Sequence, residues 1–188
     1  PLTEADLASN KIISAKLKLY DDNIPILSEE ALVSWNQRKD WETYWLVDPL
    51  DGTKEFIKKD GKGSFTVNIA LIEDYSPVMG LVYAPALDKL FFGSTDSGAW
   101  EVTDGKKRKI ESARASKSKI VAVASASHRD SATNKWLSER EITRTISIGS
   151  SLKFCLVASG EANVYPRFGQ TMEWDTAAGD AILRAAGG

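Results

Sequence analysis

A layered mixture of helices and strands, α+β in its first half and α/β in its second, is the fold class this sequence predicts. Two patterns point to it. Residues 64–92 read as successive strands separated by turn residues, an antiparallel meander, whereas the later part of the chain alternates strand-like and helix-like segments, which layers helices against a sheet. With 188 residues, 43% of them hydrophobic and six of them Trp, the chain can bury a sizeable core as one domain or two small ones. A shift to Ser, Ala, Arg and Lys over 112–118 marks a hinge, dividing an α+β part (1–115) from an α/β part (116–188).

In order along the chain, residues 3–19 carry apolar side chains at 7, 8, 12, 13 and 17 with good helix formers between, which predicts an amphipathic helix capped by Thr3 with Asp6 in its first turn. Residues 24–27 and 44–47 are strand-like. Strands follow at 65–72, 78–83 and 89–92, with Ser76-Pro77 and Pro85 read as turns. A short strand at 98–102 leads into 103–109, whose charges predict a hairpin tip or loop. The second half reads as strand 120–123, helix 130–140, strand 143–148, helix 151–159, strand 163–165 and helix 175–186.

The densest chemistry lies in Asp48-Pro-Leu-Asp-Gly-Thr-Lys-Glu-Phe56, just after a strand-like segment. Pro49 fixes its own φ and biases Asp48 away from the helical region, and Gly52 permits a sharp turn, so Asp48 and Asp51 can converge. Two carboxylates that close repel unless a cation separates them, and oxygen ligands without neighbouring His or Cys favour Mg²⁺ or another hard ion. The alternative is an ordinary surface turn. Acids also end apolar elements at Ser28-Glu29-Glu30 and at Glu173-Trp-Asp175.

Trp45-Leu-Val-Asp48-Pro-Leu-Asp51-Gly-Thr53 and Trp174-Asp175-Thr-Ala-Ala-Gly179 resemble the two motifs of the inositol monophosphatase superfamily of Mg²⁺-dependent, lithium-sensitive phosphatases. Within it, Leu50-Asp-Gly-Thr-Lys-Glu-Phe56, Ile148-Gly-Ser-Ser-Leu-Lys-Phe-Cys155 and Tyr165-Pro-Arg-Phe-Gly169 are similar to the bacterial 3′(2′),5′-bisphosphate nucleotidases of the CysQ type. The resemblance implies a layered α-β-α-β-α sandwich. It also implies that members run longer at both ends, so the chain is expected to be a fragment.

By that resemblance Glu29, Asp48, Asp51, Asp175 and the Leu50 carbonyl are metal ligands for two or three Mg²⁺ ions, and Asp6 with Thr53 orients the attacking water and accepts its proton. Read alone, Asp6 is a helix N-terminal acid favoured by the macrodipole, and Glu30 is either a residue behind the ligands or a solvated glutamate. Gly52 and Thr53 offer backbone N–H groups to phosphate. Gly149, Ser150 and Lys153, at a Gly-Ser-Ser turn before a helix, suit a second phosphate, or form an ordinary capped helix. Ser125 and His128 follow a strand, where loops line crevices, and the resemblance assigns them to the nucleotide, as it assigns Asp175 to substrate as well as metal. Arg167 either pairs with phosphate or caps the preceding strand.

The function implied is hydrolysis of adenosine 3′,5′-bisphosphate to AMP and phosphate in sulfur metabolism, with phosphoadenylyl sulfate as a related substrate. Inositol-1-phosphate or sugar phosphatase activity is the alternative, and a non-catalytic nucleotide or metal binder is the other class. Residue chemistry alone reaches an Mg²⁺-dependent phosphomonoesterase. A net charge of −2 with interspersed signs argues against a nucleic-acid polymer as partner. No apolar run is long enough to span a bilayer, so no integral membrane segment is expected. The expected compartment is the cytoplasm, with peripheral association at the inner membrane implied by the resemblance. The lone Cys155, among apolar neighbours, reads as a packed thiol.

Overall fold

The computed structural model describes residues 2–58, 63–115, 119–125 and 130–188. Helix α1 (Glu4–Tyr20) begins at a capping box: the Thr3 hydroxyl accepts from the Ala5 N–H and the Asp6 carboxylate accepts from the Thr3 N–H. Strand β1 (Ile26–Ser28) pairs in parallel with β2 (Thr43–Asp51), and β3 (Thr66–Glu73), β4 (Ser76–Ala84), β5 (Lys89–Ser94), β6 (Gly98–Thr103) and β7 (Lys106–Ile110) continue from β2 as the expected antiparallel meander. Two short helices, α2 (Trp35–Arg38) and α3 (Thr53–Lys58), flank β2.

The second half supplies β8 (Val121–Ser125), α4 (Ser131–Glu139), β9 (Arg144–Ile148), α5 (Leu152–Ala158) and α6 (Glu173–Ala185), with β8 and β9 parallel. The layers can be traced through the cores. Leu46, Ala70, Val82 and Phe91 of the large sheet bury against Ala178 and Ile182 of α6 and Cys155 of α5. Val123 of β8 packs on Leu156 and Val157 of α5, while Ala122 on the strand's other side meets Leu137 of α4. Trp45, facing away from Leu46 by strand alternation, meets Tyr20 of α1 edge-on at 6.3 Å. The order is therefore α1, large sheet, α5 with α6, small sheet, α4, which is the five-layer sandwich expected. No described helix is long and apolar enough to cross a membrane.

Three local expectations change. Residues 106–109 form edge strand β7 and only Asp104-Gly105, both at positive φ, make the tip; lysines suit an edge because they discourage pairing with another chain, and Lys107 also lies 4.2 Å from the Trp100 ring centroid. Ser76-Pro77 opens β4, the turn being Asp74-Tyr75 at φ 46° and 61°. Residues 163–165 contribute a single bridge, Ala122 to Val164, rather than a strand.

Candidate active site

Alternation along a strand sends residues three apart to opposite faces, yet Asp48 and Asp51 share one. The register shows why: Asp48 pairs with Asn68 and Asp51 with Thr66, so two residues of β2 stand against one of β3. This bulge shifts the parity by one and aims both carboxyls the same way. The Asp48 carboxylate also accepts from the Leu50 N–H at 3.0 Å, closing the bulge on itself. Gly52 then turns at φ +89°, where a Cβ would meet the Ser150 hydroxyl at 2.4 Å, and α3 starts at Thr53.

Asp175 reaches the same point from the first turn of α6. One carboxylate oxygen from each of Asp48, Asp51 and Asp175 can be chosen so that all lie within 4.8 Å of one another. Thr171 and the Met172 N–H both donate to Asp175 Oδ2, at 2.7 and 2.9 Å, which leaves its other oxygen for the cluster. Glu29, just past β1, belongs electrostatically to the group: burial and the charge of Glu30 raise its pKa, a hydrogen bond to Asp48 opposes this, and Asp175 and Asp51 raise it further. Burial, then Asp51, Glu29 and Asp175, push Asp48 up to about 10. Asp51 is raised first by burial and then by Asp175, with Lys153 opposing. Acids gathered this closely are at odds with one another until positive charge joins them. An all-oxygen set of this kind fits a hard divalent cation, and two buried oxygens behind it, Asn68 Oδ1 and Thr66 Oγ1, have no hydrogen-bond partner.

Beside the cluster, Thr53 Oγ1 lies 3.4 Å from Asp6 Oδ1 and 3.5 Å from the Leu50 carbonyl. Asp6 is buried, and its Oδ2 is held by the Thr3 N–H at 2.7 Å and the Thr3 hydroxyl at 2.5 Å. Glu30 feels the charge of Asp6: its pKa is raised by burial and then by that carboxylate. A cavity of about 250 Å³ opens here, lined by Asp51, Gly52, Thr53, Ser125, Gly149, Ser150, Lys153, Arg167 and Asp175 among others. Nearly every sequence-expected residue thus meets at one place, while His128 lies outside the described residues.

Lys153 is buried, donates to the Ser150 carbonyl at 2.5 Å and lies 5.5 Å from the Tyr165 ring centroid; burial lowers its pKa to about 8 against the opposing pull of Asp51. Arg167 donates to the Gln170 carbonyl at 2.7 Å on the cavity's rim. The Ser150 hydroxyl donates to the Asp51 carbonyl at 2.8 Å. Cys155 is fully buried and its thiol pKa is pushed up, as a packed thiol should be. Sequence reading missed Ser151, Asn68 and Thr66, which lie behind the acids. Their signal was available in β3: Thr66 and Asn68 share by alternation the face on which Ala70 and Ile72 are core, and a polar pair there calls for buried partners.

The chain matches the inositol monophosphatase family over residues 1–188. Over 187 residues it is 50% identical to a Salmonella typhimurium protein named 3′(2′),5′-bisphosphate nucleotidase CysQ, covering 100% of this chain and 74% of that one. The Escherichia coli K12 protein of the same name is 46% identical with the same coverage. Among solved structures, CysQ from Bacteroides thetaiotaomicron superposes with a TM-score of 0.85 at 42% identity, over 96% of this chain and 73% of that one. An inositol monophosphatase from Anabaena gives 0.82 at 28% identity, over 99% and 73%. Motifs, layer order and similarity over the whole length agree, and the chain belongs to the inositol monophosphatase family.

Proposed function

We propose that this chain is an Mg²⁺-dependent phosphomonoesterase that removes the 3′-phosphate of adenosine 3′,5′-bisphosphate to give AMP and inorganic phosphate, in the cytoplasm. The observation that carries the proposal is the meeting of Asp48, Asp51 and Asp175, from β2 and α6, at a cavity whose other wall holds Ser150 and Lys153. Relatives 46 to 50% identical over the full chain bear the corresponding name.

Glu29, Asp48, Asp51, Asp175 and the Leu50 carbonyl would hold two or three ions. Mg²⁺ held there would neutralise the phosphoryl oxygens, ease ionisation of the attacking water and stabilise charge on the leaving oxygen. Asp6, fixed through Thr3, accepts a hydrogen bond from the Thr53 hydroxyl, so that as a Thr53 lone pair takes a proton from the water the hydroxyl's own proton passes to the Asp6 carboxylate. The backbone N–H groups of Gly52 and Thr53 face the transferred phosphate. Gly149, Ser150 and Lys153 receive the second phosphate, and Ser125 with His128 holds the nucleoside. A buried ammonium with a lowered pKa gains from an arriving anion, so Lys153 suits this role. In this division residues 1–115 supply most of the acids and the Gly52 and Thr53 N–H groups, and 116–188 the other substrate contacts, with Asp175 serving as both ligand and contact.

Phosphate release from adenosine 3′,5′-bisphosphate and from inositol 1-phosphate, each with Mg²⁺ and with chelator, tests the proposal. Fast, chelator-sensitive release from the nucleotide and slow release from inositol phosphate is expected. Faster turnover of inositol phosphate would make the chain an inositol phosphatase, and no release from either would leave a binding role.

A further inference from the structure

Behind the acids, one buried hydroxyl joins three elements. Ser151, immediately before α5 and 2% exposed, accepts a hydrogen bond from Asn68 Nδ2 at 2.9 Å and donates toward the Asp175 carbonyl at 2.7 Å and Asp51 Oδ2 at 3.2 Å. A serine hydroxyl has one proton and two lone pairs. Because the Asn68 amide occupies a lone pair, the proton is left for the two acceptors on β2 and α6, the elements that carry the acids. Asn68 is 1% exposed and its Oδ1 has no partner. A buried unpaired carbonyl costs stability that an apolar residue of similar size would avoid, so a requirement on the other end of the amide accounts for it.

We propose that Asn68 and Ser151 are positioning residues: the Asn68 amide orients the Ser151 hydroxyl, and that hydroxyl ties the Asp51 carboxylate to the start of α6, setting the spacing between Asp51 and Asp175. Neither residue touches substrate in this role. The inference rests on the reading that these acids hold divalent cations, and it goes beyond that reading by placing control of cation affinity in β3 and at the head of α5. Without that hydroxyl, Asp51, repelled by Asp175, is left with the Ser151 N–H and the pull of Lys153 to hold its carboxylate, and nothing joins it to the start of α6.

Mn²⁺ binding to the substrate-free protein, followed by the electron paramagnetic resonance signal of free Mn²⁺, tests it in wild type, Ser151→Ala, Asn68→Leu and the double variant. Ser151→Ala should raise the Mn²⁺ Kd about tenfold to a hundredfold, as loss of outer-shell support does at metal sites. The double variant should be no weaker than Ser151→Ala, because Asn68 acts through Ser151. High Mg²⁺ should restore kcat in Ser151→Ala, with the KM for adenosine 3′,5′-bisphosphate at saturating Mg²⁺ within about twofold of wild type. A folded Ser151→Ala that binds Mn²⁺ within about twofold of wild type, or losses that multiply in the double variant, would overturn the inference. Wild type that fails to bind Mn²⁺ would sink the metal reading itself, a distinct result. Circular dichroism selects folded variants; should Ser151→Ala lose its native spectrum, Ser151→Cys, nearly isosteric and only a weak donor, carries the same expectation and the same overturning result.

Discussion

Asp51 illustrates how much one side chain does here. It lies between the charge of Asp175 and the Ser151 hydroxyl, and burial raises its pKa. Asp51→Asn should therefore lower kcat/KM for the nucleotide by more than about a hundredfold, exceeding the usual loss for residues behind a metal ligand. The metal-free melting temperature should hold or rise, since a repelling charge is gone. An enzyme that kept its rate would remove Asp51 from the cation site. Lys153→Ala should cost the nucleotide about tenfold to a hundredfold in kcat/KM, the worth of a charge-assisted hydrogen bond. Small phosphomonoesters should lose little, and equal losses for both would deny Lys153 a part in specificity. Asp48 and Asp51 were legible in the sequence because they follow an apolar run at a Pro and Gly turn, and Asp175 because it stands in a motif that opens a helix-like segment. Ser151 was not, and Asn68 was legible only as a polar residue on a core face, since what each does lies in hydrogen bonds to residues 24 and 83 or more positions away.

Among the elements, α6 matters most, because it both covers the large sheet and brings Asp175 to β2. It lies so close to β4 that a Cβ on Gly80 would stand 2.2 Å from the Ala178 carbonyl oxygen. Backbone cannot yield as a flexible side chain can, so Gly80→Ala should destabilise the fold by about 1–3 kcal/mol, the usual cost of overpacking. It should also weaken cation binding by displacing Asp175. Unchanged melting temperature and Mn²⁺ affinity together would refute this close-contact account. The long elements were legible from periodicity. Helices α2 and α3, of four and six residues, are too short to show a period. In β7 the lysines looked like loop because an edge strand uses charge to stay unpaired, an effect of its place in the sheet rather than of local propensity.

For the molecule as a whole, the acids couple cation binding to folding. A carboxylic acid whose pKa is higher folded than unfolded binds more protons in the folded state, so stability falls as pH rises between the two values. For Asp48 that window runs from 3.8 to about 10, and Asp51, Glu29 and Glu30 act in the same direction. Lys153, lowered from 10.5 to about 8, acts oppositely but only in the alkaline part of that range. Metal-free protein should therefore melt at progressively lower temperature from about pH 5 to about pH 7.5, and saturating Mg²⁺ should flatten or reverse the trend. A metal-free melting curve that rose over this interval would contradict the crowding of these acids. By itself the sequence determined the strand and helix alternation, the acids and the Gly-Ser-Ser-Leu-Lys turn, because periodicity and turn chemistry act over a few residues. Only the tertiary structure decided that β2 bulges so both aspartates face one way, that α6 delivers Asp175 to them, and that a buried Asn and Ser stand behind. Strand register, close helix approach and hydrogen bonding across the core are set by contacts between distant segments, and no local pattern encodes them.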